Sequence, residues 1–311
     1  IDVFNNNEIR DILTQNLQIK NSNYLDKIVE IADGNIRLAI LAGLKSIDKG
    51  YTSIRNAEDI FRNYYGTILS DMGLTKNDIL ILFFITFAGP IKSLESKLYD
   101  DLIKPYTKES IKYEVIEKLY SFELIDWFKN EIIKISDQSI GNYILYHVLF
   151  EKRWISIEQL ITISFHNYGK KVIYALNTLV EIFDSEELNS YIKDSIINAW
   201  NNASDSEELL YLESFASIDP YKSLCIIKEH IDKEKSKDFD LHNLDIEKQK
   251  NSYHIKNREI EILSQYKYTD CFEDAIDLFL MYFNKRPDLI MDFYKVIIEN
   301  MMYDKHSCVM H

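Results

Sequence analysis

The chain has 311 residues, a formal net charge of −14 and 46% hydrophobic residues, with 8 glycines and 4 prolines. That length allows two or three domains with real cores, and so few backbone breakers exclude a loop-rich β architecture in favour of a mainly α one. The acidic balance disfavours nucleic acid as a dominant partner, because duplex affinity comes from lysines and arginines neutralising phosphates.

The chain opens on Ile-Asp-Val-Phe, with no Met and no basic-then-apolar leader, which reads as a piece cut from a longer polypeptide. Apolar residues recur at helical spacing over 8–17 and 24–32, where Leu25, Ile28, Val29 and Ala32 share a face. Gly34 breaks the second helix, and Asn35 caps a third that runs to about residue 47. Arg37 then falls in the first turn, where the helix dipole already carries positive charge. A guanidinium beside helix-start amides suits a phosphate. The structural alternative is that Gly34 only stops a helix and Arg37 pairs with a carboxylate such as Asp33. A further helix over 57–70 completes a small bundle.

From 75 to 150 the pattern reads as three helices, a hairpin and one more helix. Thr75 with Asp78 resembles a capping box, and the helix after it carries Ile79, Leu82, Phe83 and Phe87 on its apolar face. The longest apolar stretch, 79–91, is interrupted by Gly89 and Pro90 and falls short of the roughly 20 residues that span a bilayer. No transmembrane helix and no membrane partner are therefore expected. Helices are expected over 94–103 and 108–122, the latter with Ile111, Val115, Ile116 and Leu119 inward. The runs 124–128 and 131–136 flank Lys129-Asn130 as a β-hairpin. Three helices and a hairpin make a winged helix, but its would-be recognition helix balances Lys108, Lys112 and Lys118 against Glu109, Glu114 and Glu117, whereas groove-reading helices are usually basic. Asp137 caps the helix over 138–150.

Beyond 151 the sequence predicts helix pairs with no β signal, opened by Ser156 with Gln159 and Ser204 with Glu207. Ile276, Phe279, Leu280 and Phe283 form one apolar face, and Ile290, Phe293, Ile297 and Met301 another. Phe215 before Pro220, echoed by Phe283 before Pro287, suggests an α-solenoid. The stretch 232–258 is charged and reads as a long surface loop or helix start. Cys225, Cys271 and Cys308 are isolated, which fits a reducing, cytoplasmic setting. His306, Cys308 and His311 lack the paired spacing of a zinc site, so no metal is expected. The remaining histidines are scattered, and no catalytic grouping can be nominated.

The run Ile28-Val29-Glu30-Ile31-Ala32-Asp33-Gly34-Asn35-Ile36-Arg37-Leu38-Ala39 resembles the lid motif of STAND-type signalling NTPases, a branch of the AAA+ group, with Ile36 where many members have proline. Lys134-Ile135-Ser136-Asp137-Gln138 resembles the end of that family's winged-helix hairpin, with Ser136 where a histidine stands. The resemblance implies a helical lid over 1–74, a winged helix over 75–150 and a helical-repeat sensor over 151–311. It places Gly34, Asn35, Arg37, Ser136 and Asp137 at bound ATP or ADP with Mg²⁺, held by an upstream nucleotide-binding module. It also implies a protein trigger met by the repeats, a homo-oligomer on activation and a role in bacterial defence against phage. No phosphate loop is present, since Gly43-Leu44-Lys45-Ser46 lacks the leading glycine, so this stretch alone is not expected to hydrolyse nucleotide. The rival expectations are a helical-repeat adaptor that binds protein without nucleotide, and a winged-helix DNA-binding regulator.

Overall fold

Three asparagines start the first three helices. Asn5 caps α1 (Asn6–Asn16) in a reciprocal box with Glu8. Asn21 accepts from the Asn23 amide at 2.9 Å to open α2 (Ser22–Ala32). Asn35 accepts from the Arg37 and Leu38 amides to open α3 (Ile36–Lys49). Each satisfies donors that a helix start otherwise leaves orphaned. This computed structural model describes residues 4–32, 34–55, 58–92, 97–107, 113–129, 131–239 and 255–301, which form a mainly helical fold with one two-stranded antiparallel sheet. The chain divides into two compact units, Ile1–Ala199 and Trp200–His311.

In the first unit, α4 (Thr52–Arg55) follows α3. The helix expected over 57–70 is built from α5 (Glu58–Phe61), a π turn at Arg62–Gly66 and α6 (Thr67–Asp71). The capping box of Thr75 and Asp78 opens α7 (Lys76–Ala88) as predicted. Its burial differs from the expectation. Leu80, Ile81, Phe84 and Ile85 are as buried as Leu82, Phe83 and Phe87, so α7 is a central helix covered on all sides. An apolar run without polar breaks has no period from which a single face could be read.

Around α7 lie α8 (Lys97–Leu102), α9 (Tyr113–Ser121) and the hairpin of β1 (Ile125–Phe128) and β2 (Ile132–Ile135). The strands pair Ile125 with Ile135 and Phe128 with Ile132, and Lys129 takes a left-handed φ of 50° at the turn. Ile91 adds a bridge to Ile133, with both amides donating at 2.9 Å. The expected positions Lys108, Glu109, Ile111, Lys112 and Asn130 lie outside the described residues. Asp137 caps α10 (Gln138–Tyr146), which packs on α7 and passes into a second π turn, His147–Glu151. Ser156 accepts from the Gln159 amide to start α11 (Ile157–Phe183), which departs from helical dihedrals at Tyr168; α12 (Glu186–Asn201) follows.

The second unit contains α13 (Asp205–Phe215), opened by the Ser204–Glu207 box, and α14 (Pro220–Lys233), capped by Asp219. After residues 240–254, which lie outside the described set together with His306, Cys308 and His311, come α15 (Arg258–Ser264), α16 (Phe272–Lys285) and α17 (Ile290–Lys295). Two expected faces are displaced by one residue. On α16 the buried column is Ala275, Leu278, Phe279 and Tyr282, while Leu280 is exposed. Both columns satisfy the same helical spacing, and Tyr282 decides between them because its hydroxyl accepts from Asn257 Nδ2 at 3.0 Å. After α17 the chain enters a π turn, Val296–Met301, in which Val296 is buried and Ile297 exposed.

Asp78 links the start of α7 to α9. Its carboxylate accepts from the Thr75 amide and from Lys118 Nζ, each at 2.8 Å. Burial opposes its ionisation, but the hydrogen bonds from Lys118 and Thr75 outweigh that and hold its carboxyl below the usual range. The folded pKa is depressed, so its stabilisation is present above the unfolded value of about 3.9 and is lost as pH falls through the folded one. Asp78→Asn is expected to cost about 2 kcal/mol at neutral pH in urea unfolding. It should also flatten the acid limb of the stability profile; an unchanged acid limb would contradict this role.

Candidate functional site

The lid-like motif and the hairpin-end motif meet in the structure. Asn35 Oδ1 is used up in capping α3, accepting from the Arg37 and Leu38 amides at 3.1 Å each. Its Nδ2 group therefore points away from the helix, and donates to Asp137 Oδ2 and to the Tyr65 hydroxyl, both at 3.0 Å. The other Asp137 oxygen accepts from the Ser139 amide at 2.8 Å, which caps α10. Tyr65 closes the triangle by donating to Asp137 at 3.4 Å. Burial first, and the Asp137 charge second, push the Tyr65 phenol far up, so it stays a neutral donor. Ser139 completes the joint by donating its hydroxyl to the Ala32 carbonyl at 3.2 Å, satisfying the end of α2.

Gly34 supplies the geometry that lets this happen. Its φ of 84° is a region that side-chain-bearing residues resist, and it turns the chain sharply enough for the Asn35 amide to donate back to Ala32 at 2.8 Å. Arg37 is the second residue of α3, exposed, and makes no ion pair among the described residues. Asp33, the partner considered from sequence, lies outside them. Ser136 is not part of the triangle. Its hydroxyl donates to the Glu123 carbonyl and its amide to Leu124, which fastens the base of the hairpin. Gly34, Asn35, Arg37 and Asp137 are thus brought to one place, with Ser136 next to it in sequence but directed elsewhere.

The anion chemistry differs in one respect from the sequence expectation. Two amides at the start of α3 are not bare, because Asn35 covers them, and the Ser139 amide is covered by Asp137. An anion arriving here would be met by the Arg37 guanidinium, with Asp137 opposing it.

A second polar group adjoins the first and was not foreseen. The two π turns of the first unit face each other: Arg62 Nε lies 3.4 Å from Glu151 Oε1, and Arg62 also pairs with Glu58. Glu151 in turn lies 2.8 Å from His147 Nδ1 and accepts from the Tyr143 hydroxyl at 3.3 Å. The packing is tight, since a Cβ on Gly66 would sit 2.9 Å from the Tyr143 hydroxyl. The rings of Tyr143 and Tyr65 stack with centroids 6.1 Å apart, which joins the two groups. Tyr143, His147 and Glu151 recur every four residues, a row that the sequence displays. Nothing local in the sequence points to Arg62 as its partner. Among the described residues no group of histidine, cysteine and carboxylate side chains is placed to hold a metal ion.

No protein-family model, curated protein or solved structure matches this chain.

Burial drives the His147 pKa below its ordinary value, against the pull of Glu151 and with help from Lys152 and Arg62. Trp154 packs edge-on at 5.5 Å and Tyr143 at the same distance, so the ring has little water around it. The unfolded chain binds this proton more readily, so stability should fall as pH drops from about 6.5 toward the folded value and should be unaffected above it. Urea midpoints measured from pH 7.5 to 5.5, each about one unit apart, are expected to decline less steeply in His147→Gln than in the wild type. Equal slopes would show that the histidine does not titrate in this window.

Proposed function

We propose that the chain is the regulatory and sensor portion of a nucleotide-dependent switch of the STAND type. The observation that carries this reading is the Asn35–Asp137 hydrogen bond at 3.0 Å, beside an exposed Arg37 without an ion-pair partner among the described residues. It ties the helix of the lid-like motif to the helix that follows the hairpin, which is the connection a switch needs if events at α3 are to reach residues 75–150. ATP or ADP with Mg²⁺, held by a separate nucleotide-binding module, would supply the phosphate that Arg37 meets.

The face of α3 supports a covering module. Ile40, Leu41, Leu44 and Ile47 follow Arg37 at helical spacing and are all exposed, an apolar stripe with a cation at its head. In this reading Arg37 binds and orients the anion, and Asn35 clamps Asp137. Loss of that clamp frees α10 and the hairpin from α3, a two-state element of the kind that ligands bias. Residues 151–311 then act as the helical array that meets a protein trigger, with homo-oligomer assembly on activation, a cytoplasmic setting and defence against phage as the biological context.

The test uses the full-length polypeptide that contains these residues. Arg37→Ala is expected to weaken binding of a fluorescent ATP analogue about tenfold, the equivalent of about 1.4 kcal/mol, with Arg37→Lys in between. Unchanged affinity in a folded variant would remove the basis for the proposal.

A further inference from the structure

The other face of the hairpin region carries a group of aromatic side chains that the core does not use. Tyr113 and Tyr120, two turns apart on α9, both pack edge-on against Trp127 of β1, with ring centroids 5.0 and 6.2 Å away. Yet Tyr113 is 57% exposed and Tyr120 52%, and Phe128 at the end of β1 is 51% exposed. Aromatic rings held rigid by one another but left in water are the composition of binding hot spots, because they bring large contact area at little entropic cost.

Three carboxylates stand around them. Glu117 lies between the two tyrosines on the same side of α9, with Glu114 beside it and Glu131 after the hairpin turn; all three are exposed and make no ion pair among the described residues. Of the cations nearby, Lys129 beside Phe128 is exposed, while Lys118 and Lys134 are engaged within the fold. Lys118 is turned inward to Asp78 at 2.8 Å, and Lys134 pairs across the strands with Asp126 at 3.2 Å. Lys134 Nζ also lies 5.6 Å from the Phe128 ring centroid, so this surface already holds a cation over an aromatic face.

We propose that this face of α9 and β1 docks a basic segment of a protein partner. Its arginine or lysine side chains would lie on the exposed rings and pair with Glu114 and Glu117. Duplex DNA fits the same geometry poorly, since its phosphates would meet carboxylates where a groove-reading helix offers cations.

The experiment uses residues 1–311 and a fluorescein-labelled peptide of alternating arginine and alanine, read by anisotropy. A glutamate–alanine peptide and a labelled DNA duplex run in parallel. The arginine peptide is expected to bind, the glutamate peptide and the duplex not. Tyr113→Ala with Tyr120→Ala, and separately Glu114→Gln with Glu117→Gln, should each weaken binding about tenfold or more. Glu181→Gln with Glu186→Gln changes the net charge equally on exposed positions of α11 and α12, and should leave affinity within about twofold. Equal loss in that control would mean diffuse attraction to an acidic protein and would overturn the proposal. So would unchanged binding by the folded tyrosine variant, or saturable binding of the duplex.

Discussion

The side-chain amide of Asn35 meets three demands at once. Its oxygen closes the first turn of α3, and its nitrogen holds both the carboxylate that closes the first turn of α10 and the phenol of Tyr65. Helix starts carry partial positive charge, and a carboxylate placed there is stabilised. One acidic side chain, Asp137, lies against the starts of two helices that are 102 residues apart in the chain. The tight turn at Gly34, the burial of Tyr65 and the Ser139 bond to the end of α2 all support the position of that one amide.

Local chemistry made much of this fold legible. Asn35, Thr75, Asp137, Ser156 and Ser204 all open helices where the sequence predicts it, and the hairpin forms from the two expected runs, with Phe128 opposite Ile132 where a two-residue turn would put Glu131. These signals depend on residues three or four apart. The failures share a different cause. On α7 and α16 apolar residues occupy more than one column, so spacing could not say which column faces inward, and the outcome depended on a distant partner such as Asn257. The π turns at Arg62–Gly66, His147–Glu151 and Val296–Met301 have no sequence signature of their own, yet they place Tyr65, Arg62 and Glu151.

The candidate site was legible in its parts and not in its assembly. Asn35 and Asp137 were readable as caps, but a sequence does not show that two caps share a hydrogen bond. Tyr65 carries no motif at all. Ser136 could be read as a ligand-facing hydroxyl by its position, whereas the backbone carbonyl of Glu123 accepts its hydrogen bond. Arg37 and the carboxylates of α9, which make no ion pair among the described residues, stand out as surface features. The two lie on different elements, so one can be altered without the other.

The coupling between Asn35 and Asp137 is the direct test. In a double-mutant cycle on residues 1–311, Asn35→Ala and Asp137→Ala each remove a cap and should each cost about 1–2 kcal/mol in urea unfolding. Combined, they should cost less than the sum of the two by about 1 kcal/mol or more, since the shared bond is lost only once. Strict additivity would show that the two helix starts are capped independently and that no link joins α3 to α10.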